Sequence, residues 1–212
     1  MEGKKSIADL IKSDYKIHSL FATKDWINSN PMQNAFLVSE KELIRISNLK
    51  NPESVLALVK IKTLHHPIKS RVTLVLDGIS DPGNLGTIIR ICHWFGVFNI
   101  ICSHKCVDCY SPKVVQSSMG SLFNVNIKYV NLLEYFESID SVIFGAFTKG
   151  ENIKKISFPE NLHLVMGNEA NGISPQVTEL ITKKVMIASK SNDIDSLNVA
   201  VATSILLNEI CS

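Results

Sequence analysis

The 212-residue chain has no stretch approaching the ~20 uninterrupted apolar residues that a membrane-spanning helix needs. Its opening holds no apolar core of signal-peptide length, because Lys4, Lys5, Asp9, Lys12, Asp14, Lys16, Lys24 and Asp25 are spread through it. A cytoplasmic protein with no membrane partner is the expectation. Five cysteines are too few for a disulfide scaffold in a chain of this length. There is no internal repeat and no low-complexity tract, which excludes a repeat array. Net charge is also nearly absent, at +2. It is unevenly spread: residues 1–70 hold 11 Lys/Arg against 7 Asp/Glu, and residues 71–212 hold 11 against 13. The mildly basic front favours an anionic partner, although a lysine-rich solvated surface accounts for the same numbers.

What is present is ordinary for a globular protein, with 45% hydrophobic and 20% charged residues. The pattern breaks at Thr63–Ser70, where Pro67 disfavours helix at His66. This predicts two domains, residues 1–67 and 68–212. In the front one, Ser6–Ser13, Asp25–Asn30 and Ser39–Ile46 read as helices, the last opened by a Ser39/Glu42 capping box. Ile17–Ala22, Ala35–Val38 and Leu56–Ile61 read as strands. In the back one, Val72–Leu76 is an apolar run typical of a strand buried on both faces. Further strands are predicted at Val97–Cys102, Phe123–Ile127, Val142–Phe147, Leu162–Met166 and Lys184–Ala188. Helices are predicted at Asn84–Phe95, Lys113–Ser118, Leu132–Ser138, Pro175–Ile181 and Ser196–Ile210. Alternation of this kind gives an α/β fold with a largely parallel sheet, whose ligands bind outside the carboxyl ends of the strands.

Three segments at those ends carry polar groups. Asp77–Arg90 follows a strand and opens a helix, with Pro82 and Gly83 in the turn, Asn84 as the helix cap and Gly86 allowing close backbone approach. Arg90 sits in sequence among Ile88, Ile89, Ile91, Trp94 and Phe95, and such company calls for an anionic partner. A plain strand–turn–helix with a capping Asn and a salt-bridged Arg is the structural alternative; no dinucleotide or NTPase phosphate-loop spacing is present. Leu164–Ser174 places Gly167, Asn168, Glu169 and Gly172 after a strand, which by itself is a generic loop. Ile194–Asn208 is apolar nearly all round once Ser196 has capped it, so it is buried within the domain or against a second subunit, and Asn198 in its first turn needs hydrogen-bond partners.

Together these segments, in this order, resemble the signature motifs of the SpoU (TrmH) branch of the SPOUT superfamily of RNA methyltransferases. Tyr110–Ser121 resembles the family's serine-containing segment. The resemblance implies a C-terminal α/β domain with a mostly parallel sheet and a deep trefoil knot, S-adenosylmethionine as cofactor, a homodimer, and methylation of a ribose 2′-hydroxyl in RNA, rRNA more than tRNA. It implies main-chain cofactor contacts at Gly167, Ile187 and Leu197, with Met166 and Asn168 adjoining. It assigns catalytic roles to Asn84, Arg90, Glu169, Ser196 and Asn198, and RNA contacts to Arg90, Ser118 and Lys113. No metal is required. A guanidinium offers donors and no acceptor, so Arg90 is expected to clamp the substrate phosphate and stabilise the developing alkoxide. The alternative is a non-catalytic RNA-binding relative.

The front domain resembles the ribosomal-protein-L30e-like substrate-binding domain, through Ser47–Val59. Against that pattern, Met1–Lys5 begins as if an opening helix and strand were missing, which would leave a sheet edge unpaired. Position 116 is Gln where many relatives have Arg, and Ala188–Asp195 lacks the usual Pro and Gly. Cys102, Cys106 and Cys109 have the C-x3-C-x2-C spacing of cluster-binding radical enzymes, but they follow a mid-sheet strand and Asp108 replaces the usual aromatic, so coincidence is expected. Cys92 and Cys211 read as packing, and His65 and His66 as solvent-exposed linker residues rather than metal ligands.

Overall fold

The computed structural model describes every residue except 32, 50, 62–69 and 192. The domain boundary near residue 68 and the His65-His66 pair therefore lie outside the described residues. The front part contains α1 (Lys4–Lys12), β1 (Ile17–Ala22), α2 (Lys24–Ser29), β2 (Phe36–Leu37), α3 (Glu40–Ile46) and β3 (Val55–Val59). Its sheet has the order β2-β1-β3, with β1 parallel to β2 and antiparallel to β3. Ile7 and Leu10 of α1 pack with Leu20, Ala22, Trp26, Val55 and Ala57 on one side of that sheet. Alternation along β1 and β3 sends those residues to the same face. Beyond β3, Met1–Gly3 extends the ladder: Ala57 N–H donates to Met1 O at 2.9 Å and Gly3 N–H to Val55 O at 3.2 Å. The edge that the sequence pattern left open is thus partly covered by the chain's own first residues.

The back part contains β4 (Val72–Asp77), α4 (Pro82–Trp94), β5 (Asn99–Ser103), α5 (Pro112–Ser118), β6 (Asn126–Val130), α6 (Leu132–Glu137), β7 (Val142–Asn152), β8 (Leu162–Gly167), α7 (Pro175–Thr178), β9 (Lys183–Met186) and α8 (Val199–Cys211). The six strands run β6-β5-β4-β8-β7-β9, and every pairing is parallel. Residues of opposite parity in β4 enter two separate cores. Val72, Leu74 and Leu76 join Leu85, Ile88, Ile89, Leu206, Leu207 and Ile210 from α4 and α8. Val75 joins Ile143, Val165, Leu132, Phe136 and Val177, so α6 and α7 cover the other face. Gly86 permits α4 to meet α5: a Cβ there would lie 1.9 Å from Ser117 Oγ and 2.9 Å from the Val114 carbonyl.

Several boundaries differ from the sequence reading. Phe123 belongs to a 3-10 turn, Ser121–Asn124, and the following strand starts only at Asn126. β7 continues past Phe147 through an excursion at residues 147–150 and pairs again with β9 at Glu151 and Asn152. The helix predicted to 181 closes after one turn at Thr178. The two parts touch where Tyr15 meets Phe123, with ring centroids 4.9 Å apart, and where Gly120 (φ 83°) leaves room for Asp9.

Candidate active site

Three loops meet at the carboxyl edge of the large sheet. The first follows β4. Pro82 occupies the first turn of α4, a position that spares the missing N–H and makes the preceding residue the cap. Asp81, not Asn84, is accordingly the N-cap, its Oδ1 accepting the Asn84 N–H at 2.8 Å. The Asn84 side chain is thereby released from capping. Its Nδ2 donates to Glu169 Oε1 at 2.9 Å, and its Oδ1 accepts from Asn198 Nδ2 at 3.0 Å.

The second loop follows β8. Asn168 and Gly172 exchange two main-chain hydrogen bonds of 2.9 Å, and Asn168 Oδ1 accepts from the Ala170 and Asn171 amides. A hairpin results with Glu169 at its tip. Asn168 Nδ2 donates to Gly78 O at 2.7 Å, tying this hairpin to the first loop. The buried Asp77 carboxylate accepts the Ser174 N–H at 2.8 Å, tying the far side of the hairpin to the end of β4. Gly167 has no room for a side chain: a Cβ would lie 2.2 Å from Gly172 C and Ile173 N.

The third loop leads into α8. Its N-cap is Asn198, whose Oδ1 accepts from Ala200 and Val201 N–H. Ser196, the expected cap, is exposed and lies before the helix. The direction of the whole chain is fixed chemically. Glu169 presents carboxylate acceptors, so Asn84 turns its NH2 to it and its oxygen to Asn198. Asn198 in turn keeps its oxygen for the α8 amides. Residues 84, 169 and 198 are thereby locked together from three distant segments.

Not every expected residue joins them. Arg90 is exposed, on the outer face of α4 with Thr87 and Trp94, and none of the described residues hydrogen-bonds its guanidinium. Ile88 and Ile89 point instead into the core, so Arg90 shares none of their burial, and the protein supplies no anionic partner for it among the described residues. Ser118 is fully buried and donates to Val115 O at 2.9 Å, so its hydroxyl is engaged inside the protein rather than offered to RNA. Lys113 is exposed, and its Cε comes within 3.9 Å of the position a Gly83 Cβ would take, at the mouth of the site. Gly167 ends β8 half-buried, Met166 is in the core, Ile187 follows β9 half-buried, and Leu197 is 48% exposed ahead of α8. β8 and β9 flank β7 in one parallel sheet, so Gly167 and Ile187 stand on its same edge.

Asp77, Gly78 and Asp81 are site-building residues that the sequence reading passed over; the Asp81-Pro82 pair carried the signal for the cap. A groove of about 510 Å³ runs between α4 and α8, lined by Asp81, Asn84, Thr87, Ser117, Asn198 and Ser204 with Ile91, Val201 and Ile205. No His/Cys/Asp/Glu cluster able to hold a metal occurs among the described residues, and none of their helices is long and apolar enough to cross a membrane.

Residues 71–208 match the model of the SpoU rRNA Methylase family. An uncharacterized tRNA/rRNA methyltransferase of Synechocystis is 32% identical over 208 residues, covering 91% of this chain and 75% of the relative. The 23S rRNA (guanosine(2553)-2'-O)-methyltransferase RlmP of Bacillus subtilis is 24% identical over 98% of this chain and 86% of its own. Among solved structures, a Porphyromonas gingivalis protein assigned to the TrmH family of RNA methyltransferases superposes with a TM-score of 0.88 at 33% identity, covering 99% of this chain and 87% of that one. An AdoMet-bound rRNA methyltransferase from Sinorhizobium meliloti superposes at 0.84 and 26% identity, over 99% and 85%.

Proposed function

The chain belongs to the SpoU rRNA methylase family, and from that premise we propose that it methylates a ribose 2′-hydroxyl of RNA, rRNA in preference to tRNA, using S-adenosylmethionine. The observation that carries this reading is the Glu169–Asn84–Asn198 chain, which joins three remote loops at the carboxyl edge of a parallel sheet. Relatives named for rRNA methylation, one of them for 2'-O transfer, support the substrate class.

When bound, S-adenosylmethionine supplies a methyl group already activated by a sulfonium. The residues fit it: Gly167, Ile187 and Leu197 would hold the adenosyl part through main-chain groups, with Met166 and Asn168 fixing the strand end. A ribose hydroxyl is a weak nucleophile near neutral pH, so the protein's task is to align it and help shed its proton. Asn84 and Asn198 present a fixed polar wall for the ribose, and Glu169 orients that wall. Ser196, exposed beside Leu197, and Lys113, at the mouth, contact the RNA. Arg90, solvent-facing and unengaged, clamps the substrate phosphate and stabilises charge as the oxygen becomes alkoxide-like. The expected trefoil knot belongs to the same reading and is supported by α8 returning from the β9 edge to pack on α4 and β8.

The same proposal includes the homodimer. Trp94, on the outer face of α4, is 85% exposed, and Val201, in the α4–α8 groove, is 49% exposed. Such an apolar face suits a second copy related by a two-fold axis, and it brings Arg90 of α4 to the subunit boundary. In light scattering the native chain is expected at twice the monomer mass, and Trp94→Glu/Val201→Glu at the monomer mass; a native monomer refutes the dimer.

The main experiment is calorimetry with S-adenosylmethionine followed by tritiated methyl transfer to rRNA from a strain lacking the protein. Binding and transfer are both expected. Arg90→Lys should keep cofactor affinity while losing turnover by about a hundredfold. Cofactor binding without transfer to any RNA would favour a non-catalytic RNA-binding protein.

A further inference from the structure

Three cysteines, one near the end of β5 and two in the loop after it, remain outside the methyl-transfer site, and two of them adjoin its supporting wall. Cys102 is the last residue but one of β5, and Cys106 follows a turn closed by Cys106 N–H to Ser103 O at 3.0 Å. Both side chains lie in one core cluster, and Leu76, whose carbonyl Cys106 engages, pairs across the ladder with Cys102. Cys106 Sγ donates to Leu76 O at 3.2 Å and lies 3.7 Å from Ser103 Oγ. All five cysteines of the chain are free thiols.

The same few residues hold the first loop of the candidate site. Gly78 N–H donates to Ser103 Oγ at 3.0 Å, Val107 N–H donates to Ile79 O at 2.9 Å, and Gly78 O accepts Asn168 Nδ2 at 2.7 Å. One residue, Gly78, therefore links Ser103, beside the Cys106 sulfur, to the hairpin that presents Glu169.

We propose that Cys102 and Cys106 form a reversible disulfide under hydroperoxide, and that its formation loosens the Gly78–Asn168 contact that supports the Glu169 hairpin. The chemistry balances with the peroxide as oxidant. Cys106 sulfur attacks one peroxide oxygen, the O–O bond breaks, and hydroxide leaves as water, giving a sulfenic acid. Cys102 sulfur then attacks Cys106 sulfur; the S–S bond forms, the S–O bond breaks, and the Cys102 proton departs with the leaving hydroxide as a second water. Two electrons pass from the thiols to the peroxide.

Several features favour Cys106 as the first nucleophile. Hydrogen bonding, with Cys102 the largest cause, holds its thiol down at about 7 despite burial. Cys109, by contrast, is pushed up to about 11 by burial. Cys106 is also slightly exposed where Cys102 is sealed, so a small oxidant reaches Cys106 first. Closing the bond draws the Cys106 sulfur toward Cys102 and away from Leu76 O. The thiol hydrogen that Leu76 O receives is lost at the same time.

The test treats the native protein with hydrogen peroxide and maps tryptic peptides. Cleavage after Arg90, Lys105 and Lys113 places Cys102 in peptide 91–105 and Cys106 in peptide 106–113. The expected product is a joined pair of these peptides, fragmenting at Cys102 and Cys106 and released by dithiothreitol. Cys109→Ala should leave the pair intact, and Cys102→Ala or Cys106→Ala should abolish it. Amide hydrogen exchange at Gly167–Gly172 should rise on the order of tenfold in the oxidised native chain and return on reduction. A loop closed inside peptide 106–113, joining that requires denaturant, or unchanged exchange after complete joining would each overturn the proposal. None of these readouts requires methyl transfer, so they stand or fall apart from the proposed activity.

Discussion

In the six-stranded sheet Leu74, Val75, Leu76 and Val165 are sealed from solvent, whereas in the three-stranded sheet Phe36, Leu37 and Leu58 stand 62%, 66% and 51% exposed. The large sheet has helices on both faces and a separate core against each. The small one closes a core on one face, against α1 and Trp26, and offers much of its other surface to solvent. Rigidity follows the first arrangement. Parallel strands covered on both sides hold their carboxyl ends at fixed spacing, and that spacing brings residues 84, 168, 169 and 198 within hydrogen-bond reach. The front sheet keeps apolar surface open to solvent, and its resemblance to an RNA-binding domain makes RNA the partner we propose for it.

The largest effect expected in this comparison comes from the back sheet's tightest point. Gly167→Ala puts a Cβ 2.2 Å from backbone atoms of Gly172 and Ile173, which cannot swing aside as a side chain would. A loss of about 3 kcal/mol is expected, seen as a Tm drop of roughly 6–12 °C, together with loss of cofactor affinity. Gly172→Ala, five residues on, meets nothing within 4 Å and bears only the strain of φ 68°, so about 1 kcal/mol is expected. Equal Tm values for the two variants would mean that the hairpin does not pack as described.

These two glycines also mark the limit of what the sequence disclosed. Strand–helix alternation, the buried run of β4 and the Ser39/Glu42 capping box were legible because each rests on local pattern, and all three are present. Asn84, Glu169 and Asn198 were legible as polar residues at strand or helix ends. Their mutual bonding was not, because hydrogen bonds spanning 85 and 114 residues leave no local trace. Arg90 was misread because sequence neighbours on a helix occupy different faces. The late start of α8 was misread because Ser196 is as good a cap by type as Asn198, and tertiary bonding to Asn84 decided between them. Gly167 was legible as a strand end, while its actual constraint, the close return of Gly172 and Ile173, was not.

A smaller effect sharpens the contrast through pH. His163 lies in β8, near-buried, with Ser141 Oγ at 2.7 Å from Nδ1 and Tyr135 Oη at 2.9 Å from Nε2. Burial lowers it from 6.5 to about 4. The folded form therefore resists protonation, while the unfolded chain binds a proton below about 6.5. Its contribution to stability is complete above that value and is lost as pH falls through about 4. Acid should accordingly weaken the back sheet first, since His18, the front part's described histidine, is exposed. Hydrogen exchange between pH 7 and 4 should rise earlier in β8 than in β3, and His163→Gln should flatten that dependence. An unchanged acid limb in the variant would assign it to other groups.

The smallest effect lies in the front part and tests whether the two sheets open independently. In α3 the Ser39 hydroxyl accepts the Glu42 N–H at 3.3 Å, while Ser39 N–H donates to Glu42 Oε2 at 2.8 Å. That backbone hydrogen bond holds the Glu42 carboxyl below its usual range. Ser39→Ala removes the cap and should cost about 1 kcal/mol. If the front sheet, with its thinner cover, opens as its own unit, the loss appears as faster exchange in α3 and β1 with no change in β4 or β8. If the loss is shared equally by both sheets, the Tyr15–Phe123 contact and the Asp9–Gly120 approach bind them into one cooperative unit. The front surface would then be held at a fixed distance from residues 84, 169 and 198, and the RNA would have to fit both at once rather than be gathered by one and delivered to the other.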